Sequence, residues 1–233
     1  MGALVVDIGG SHVKLLATGI KRPRRSASHP SLGPEDLVEI VRSKTKDWRY
    51  DRVSIGFPGV TGPTGPEEEP GNLGSGWVGF DFAAAFGLPV RIVNDAVLQA
   101  LGGYQSGRML FLGLGTGLGS ALVTERVLVP LELGCLRYDV GETLGDRLGK
   151  EGLEKHGERA WAETLAGATA ELRKAFRADE ILLGGGHVDR LDPLPAGCRR
   201  GGNHDAFTGG FRLWEDWVEQ HEEPLPKVWR VVR

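Results

Sequence analysis

Four short stretches of the 233-residue sequence hold residue types that can do chemistry together. In Asp7-Ile8-Gly9-Gly10-Ser11 a carboxylate closes an apolar run and a glycine turn follows it. An ionised carboxylate in an apolar strand is costly unless it is paired or binds a metal. Backbone N–H groups of a glycine turn can converge on an anion, because no Cβ blocks the approach. That combination suits a magnesium–phosphate substrate. The plainer alternative is a hairpin whose turn amides satisfy Asp7. In Gly113-Leu114-Gly115-Thr116-Gly117-Leu118-Gly119-Ser120 four glycines alternate with other residues between the apolar runs 109–112 and 121–123. No Gly-Lys-Ser/Thr follows, so this is not a P-loop, and strand residues rather than a helix come next, unlike the dinucleotide fingerprint. Two such turns can grip a phosphate chain from both sides. Asn94-Asp95 ends the strand 89–93 and opens a helix, where Asp95 taken alone reads as an N-cap. Gly184-Gly185-Gly186 makes a third glycine turn after the short strand 181–183.

The elements that must position these residues are legible from pattern. Residues 3–17 predict a β-hairpin around the first glycine turn. The basic run Lys21-Arg22-Pro23-Arg24-Arg25 predicts a solvated strand edge or loop rather than a polyanion track. Gly33-Pro34-Glu35 starts a helix, with Leu37, Ile40 and Val41 at helical spacing, and 52–57 is the next strand. Residues 61–76, with the acidic triplet Glu67-Glu68-Glu69, predict a mobile functional loop. At its end Asn72 and Trp77 suit a polyhydroxylated ligand, unless Trp77 only anchors the loop on the core. A helix is expected around 81–86, and a strand over 126–133 contains Glu132, ahead of Gly134-Cys135. Residues 147–176 are mostly helical, with Trp161, Leu165, Ala168, Leu172 and Phe176 on one stripe, and the tail 206–217 is helical before Pro224 and Pro226.

Composition narrows the function classes. A net charge of -3 makes no electrostatic case for nucleic acid or a membrane surface. No apolar stretch reaches the length of a membrane span, and Asp7 interrupts the N-terminal apolar stretch, so no signal peptide is expected. Cys135 and Cys198 make no disulfide framework and lack zinc spacing, which fits a cytoplasmic setting. The 36 glycines are about twice the usual share and fall in clusters, as ligand loops require.

With Asp7–Lys14, Asn94-Asp95, Gly115–Gly119 and Gly184–Gly186 in this order, the chain resembles the sugar kinases of the actin–hexokinase–Hsp70 superfamily. Among these it is most similar to the ROK family and its polyphosphate/ATP glucokinases. The resemblance implies an α/β, two-domain actin-like (ribonuclease H-like) fold with a cleft between lobes. The smaller lobe is 1–105 plus a C-terminal helix at about 205–233, and the larger is 106–204. It implies Asp95 as catalytic base and Asp7 as the residue orienting Mg²⁺. Gly9, Gly10, Ser11, Lys14, Gly115, Thr116 and Gly117 would bind phosphate, and Gly184, Gly185 and Gly186 would lie beside the adenosine of a nucleotide donor. Asn72, Asn94, Asp95, Glu132 and Cys135 would face the sugar. ATP or polyphosphate would be the phosphoryl donor and a hexose, glucose by default, the acceptor, in a cytoplasmic homodimer without nucleic-acid or membrane partners.

Cys135 departs from the family, which carries His at that place. The family's cysteine-rich zinc motif is absent, so no zinc is expected. The first phosphate motif begins at residue 7, so the helix-turn-helix domain of the family's repressors is not expected. A catalytically weak or inactive sugar- or nucleotide-binding protein on the same fold is the alternative. An ATPase activator of the superfamily would carry iron–sulfur cysteines that this sequence lacks.

Overall fold

The computed structural model describes residues 2–125, 127–202, 204–215 and 230–231. Its first strands, β1 (Ala3–Ile8) and β2 (His12–Ala17), form the expected antiparallel hairpin. β3 (Arg24–Ala27) adds to β2 as an edge strand. The basic run lies there as anticipated: Arg24 forms a two-pronged pair with Asp47 at 2.5 and 2.7 Å and stacks on Trp48. Helix α1 (Pro34–Thr45) starts at Gly33, whose N–H donates to Asp36 at 3.1 Å. β4 (Arg52–Phe57) then pairs in parallel with β1.

The stretch 61–76 carries local structure that its composition does not signal. It holds a small hairpin, β5 (Thr61–Gly62) and β6 (Gly65–Pro66). The Glu69 carboxylate accepts from the backbone N–H groups of Gly76, Trp77 and Val78 at 3.1 to 3.3 Å. Trp77 is fully buried against Phe57 and Phe82, so the anchoring alternative holds for its indole. α2 (Phe82–Phe86), capped by Asp81, leads to β7 (Val90–Asn94), which completes a five-stranded sheet of order β3-β2-β1-β4-β7.

After α3 (Asp95–Gly103) come β8 (Arg108–Leu114), β9 (Leu118–Thr124) and β10 (Val127–Leu131), with Glu132 just beyond the last strand rather than inside it. A small hairpin follows, β11 (Arg137–Asp139) and β12 (Glu142–Thr143), then α4 (Leu144–Leu148) and α5 (Lys150–Ala175). The long helical stretch is broken at Gly157, whose φ of 78° is left-handed. β13 (Glu180–Gly184), β14 (Cys198–Arg200), α6 (Asp205–Arg212) and β15 (Arg230–Val231) end the chain. The expected tail helix stops at Arg212, and residues 216–217 of that expectation lie outside the described residues. The second sheet has the order β14-β13-β8-β9-β10-β15.

Both faces of β1 are covered. Leu4, Val6 and Ile8 pack in one core with α1, while Val5 packs in another with α3 and α6, so the strand reads as a continuous apolar run. Asp7 shares the Val5 face, because side chains alternate along a strand. The second core joins residues of both sheets, among them Val93, Phe111 and Leu182, around α3. α3 and α6 touch backbone to backbone: a Cβ on Gly209 would lie 1.8 Å from the carbonyl oxygen of Leu98. Arg212 donates to the carbonyls of Leu101, Gly102 and Tyr104 and so closes the C-terminal end of α3. No helix among the described residues is long and apolar enough to cross a membrane.

Candidate functional site

The turns of the β1–β2 and β8–β9 hairpins line one cavity of about 330 Å³. Gly10 comes from the first turn, and Gly115, Thr116 and Gly117 from the second. Asn72, Asn94, Asp95, Glu132 and Gly185 line the same space. The fold thus gathers residues separated by up to most of the chain length. Asp7, Gly9, Ser11, Lys14, Cys135, Gly184 and Gly186 do not line that cavity. A larger depression of about 470 Å³ on the β7 edge holds Asp81 and Arg91, which cap α2 and stack on Trp214 respectively.

Asp7 is only 5% exposed, and its Oδ2 receives a hydrogen bond from Lys14 Nζ at 3.1 Å. The two residues are directly opposed in the β1–β2 ladder, so strand register itself builds the ion pair. Turn amides therefore are not what satisfies Asp7. The other neighbour in the row is Gly56, and a Cβ there would meet Leu98 Cδ2 at 2.8 Å, the Asp95 Cα at 3.5 Å and Asp7 Oδ1 at 3.6 Å. Gly56 is the spacer that lets Asp7 and the start of α3 come together. A glycine inside a strand is the sequence signal for such a close approach.

Asn94, not Asp95, is the N-cap of α3. Its Oδ1 accepts from the Ala96 N–H at 2.8 Å, and its Nδ2 donates to the Gly59 carbonyl at 3.1 Å. Asp95 occupies the first helical position and is released from capping. Burial, and next the negative charge of Asp7, raise the Asp95 pKa from 3.8 to about 7, against the Ala96 N–H and Lys14, which favour the ionised form.

On the opposite wall, Ser120 accepts from the Leu133 N–H at 3.0 Å and donates to the Leu131 carbonyl at 2.8 Å, fixing the backbone on both sides of Glu132. Burial and then Glu68 raise the pKa of Glu132. Cys135 is exposed, one turn beyond Glu132, and its N–H donates to the Glu132 carbonyl at 3.0 Å. Asn72 reaches the first turn, since a Cβ on Gly10 would lie 3.0 Å from Asn72 Nδ2. Gly185 (φ +86°) crosses the backbone of Leu114 so tightly that a Cβ would fall 2.3 Å from its carbonyl oxygen. The Leu114 carbonyl also accepts from the His187 N–H at 3.1 Å, which joins the second and third turns.

The donor set fits Mg²⁺. The ion is normally held by one or two carboxylates, with substrate phosphate oxygens and water completing its shell, and the Lys14 bond engages Oδ2 of Asp7, leaving Oδ1 beside Gly56 near the start of α3. Among the described residues no group of three or more His, Cys, Asp or Glu could hold a metal by itself.

The mixed α/β chain, with two glycine turns over one cavity, has the actin-like ATPase fold of its structural neighbours. No family model matches the chain. It is 27% identical over 217 residues to the polyphosphate glucokinase of Mycobacterium leprae, covering 81% of this chain and 65% of that protein. The chain thus spans slightly under two thirds of that relative's length. Its structure matches the polyphosphate/ATP-glucomannokinase of Arthrobacter sp. strain KM with a TM-score of 0.76 at 23% identity, over 90% of this chain and 96% of that one. It matches the ROK glucokinase of Streptomyces griseus, solved with glucose and AMPPNP, with a TM-score of 0.73 at 18% identity, over 91% and 99% of the two chains. In sequence the chain is similar to polyphosphate glucokinases, and in fold it is similar to ROK-family sugar kinases.

Proposed function

We propose that the chain transfers the terminal phosphoryl group of ATP or polyphosphate to a hexose hydroxyl, with glucose O6 as the acceptor. The observation that carries this is Asp95: a carboxylate with a pKa of about 7, at the start of a helix, in a cavity lined by two glycine turns. A base is most useful when its pKa lies near the working pH. Asp95 accepts the proton of the sugar hydroxyl as that oxygen attacks the terminal phosphorus and the bond to the bridging oxygen breaks, releasing ADP or a polyphosphate one unit shorter. Asn72, Asn94 and Glu132 hold the other hydroxyls, and Cys135 offers a thiol where the family has His. Phosphoryl transfer needs in-line positioning and neutralised charge more than covalent help. The amides of Gly9, Gly10, Ser11, Gly115, Thr116 and Gly117 supply fixed N–H donors for the phosphates, and Lys14 adds a cation. Gly184, Gly185 and Gly186 flank the nucleoside of an ATP donor. Mg²⁺ held by Asp7 would neutralise donor oxygens when bound.

In this account residues 1–105, with about 205–233, make one lobe and 106–204 the other, closing on the sugar and excluding water. The chain works as a cytoplasmic homodimer on small molecules. The test is a coupled kinase assay across a hexose panel with each donor, on wild type and Asp95→Asn. Loss of turnover with retained sugar binding supports the base assignment, and near-normal turnover refutes it.

A further inference from the structure

Gln99 lies in the same cavity as Asp95, one turn further along α3, and the mechanism above gives it no task. Residues four apart on a helix share a face and are separated by about 6 Å along the axis. Its carboxamide points at the third glycine turn: a Cβ on Gly184 would lie 3.3 Å from Gln99 Oε1 and 2.7 Å from the Phe111 ring. Gly113, in the second turn, confines the same ring from the other side, at 3.1 Å from its own Cβ position. Gln99 therefore sits on a floor made of an aromatic ring and the glycine turns, beside the backbone of the third turn. It is half-buried, and its side chain makes no hydrogen bond among the described residues. A carboxamide can offer two donors and an acceptor, and leaving them unused in a partly buried site costs stability unless a ligand or water takes them.

We infer that Gln99 is a donor-contact residue: its amide N–H groups bind a non-bridging oxygen of the phosphoryl donor behind the transferred phosphate. This rests on the kinase reading, with Asp95 marking the reacting end. A donor whose last phosphorus is attacked near Asp95 has its next phosphate displaced toward the second and third turns, where the Gln99 amide lies. A neutral amide suits this place, because a cation there would neutralise Asp95 and Asp7, whereas an anion would repel the donor.

The test is calorimetric binding of AMP-PNP and of tripolyphosphate, with Mg²⁺ present, to wild type, Gln99→Met and Gln99→Glu, alongside KM for donor and for sugar. Gln99→Met keeps the length and loses the amide, and thermal melting checks that it folds. The expected result is donor affinity weakened about tenfold in Gln99→Met, the loss of one hydrogen bond to a charged group, and weakened further in Gln99→Glu. Sugar KM and the sugar-induced melting shift stay at wild-type values. Equal donor binding by wild type and Gln99→Met overturns the assignment, as does a loss confined to the sugar. Because binding is read without turnover, a wild type that binds donor through Gln99 yet phosphorylates nothing would sink the kinase reading and spare this one. Absence of donor binding by wild type would sink both.

Discussion

Asn94 and Asp95 divide the work at the start of α3. Asn94 caps α3, so the carboxylate next to it keeps its oxygens for the cavity, where burial and Asp7 hold its pKa at about 7. Two outcomes follow at this residue. As the proposed base, Asp95 must be ionised to act, so kcat/KM should rise with pH and level off above a pKa near 7, as a pH–rate profile will show. Stability has the opposite sign. The folded state keeps a proton between pH 4 and 7 that the unfolded chain has released, so this group's contribution falls as pH rises through that window and is flat above it. Asp95→Asn removes the effect. It should melt higher than wild type at pH 8, by an amount that shrinks toward pH 4, in paired thermal melts. At the same scale Gly56→Ala should cost about 1–3 kcal/mol in denaturant unfolding, typical of an inserted methyl in a packed core, because its Cβ would press on Leu98 between Asp7 and α3.

At the scale of elements, the glycine turns were readable because turn chemistry is local: apolar runs on either side of glycines specify a hairpin. Both hairpins, α1 and the β7–α3 junction follow from such short-range signals. What the pattern does not carry is which turns share a space. Ser120 holds the backbone beside Glu132 through an 11-residue span, and Gln99 of α3 faces Gly184 at the end of β13. These relations depend on register and packing between distant segments. Composition alone reads 61–76 as a mobile loop, because it carries no sign of the one carboxylate that ties its end together. Glu69 is pushed up by burial, but its three backbone N–H partners outweigh that and lower its pKa. Glu69→Gln, which loses one acceptor oxygen, should loosen the loop that carries Asn72. The expected outcome is a several-fold rise in sugar KM with kcat nearly kept, measured with saturating donor. Gly185→Ala should be far more damaging, because it forces a side chain into the left-handed region and onto the Leu114 backbone. Its unfolding midpoint should fall well below that of the wild type.

Across the whole molecule, α3 is the shared part. It begins at the proposed base, borders the cavity with Gln99, and packs against both sheets and α6. In the proposed two-lobed arrangement, closure would pivot about α3 and so be linked to the proposed base through that helix. Sugar binding should then lower the radius of gyration in solution scattering, and Asp95→Asn should show the same compaction. The most direct test of the account remains turnover itself: a coupled assay with glucose and with other hexoses, supplied with ATP or polyphosphate, on wild type and Asp95→Asn. The account predicts phosphorylation of at least one hexose by wild type, a loss of at least about 100-fold in kcat for Asp95→Asn, the range for removing a general base, and an unchanged sugar-induced melting shift. Turnover of Asp95→Asn within a few-fold of wild type, or no phosphorylation of any hexose with either donor, would contradict it.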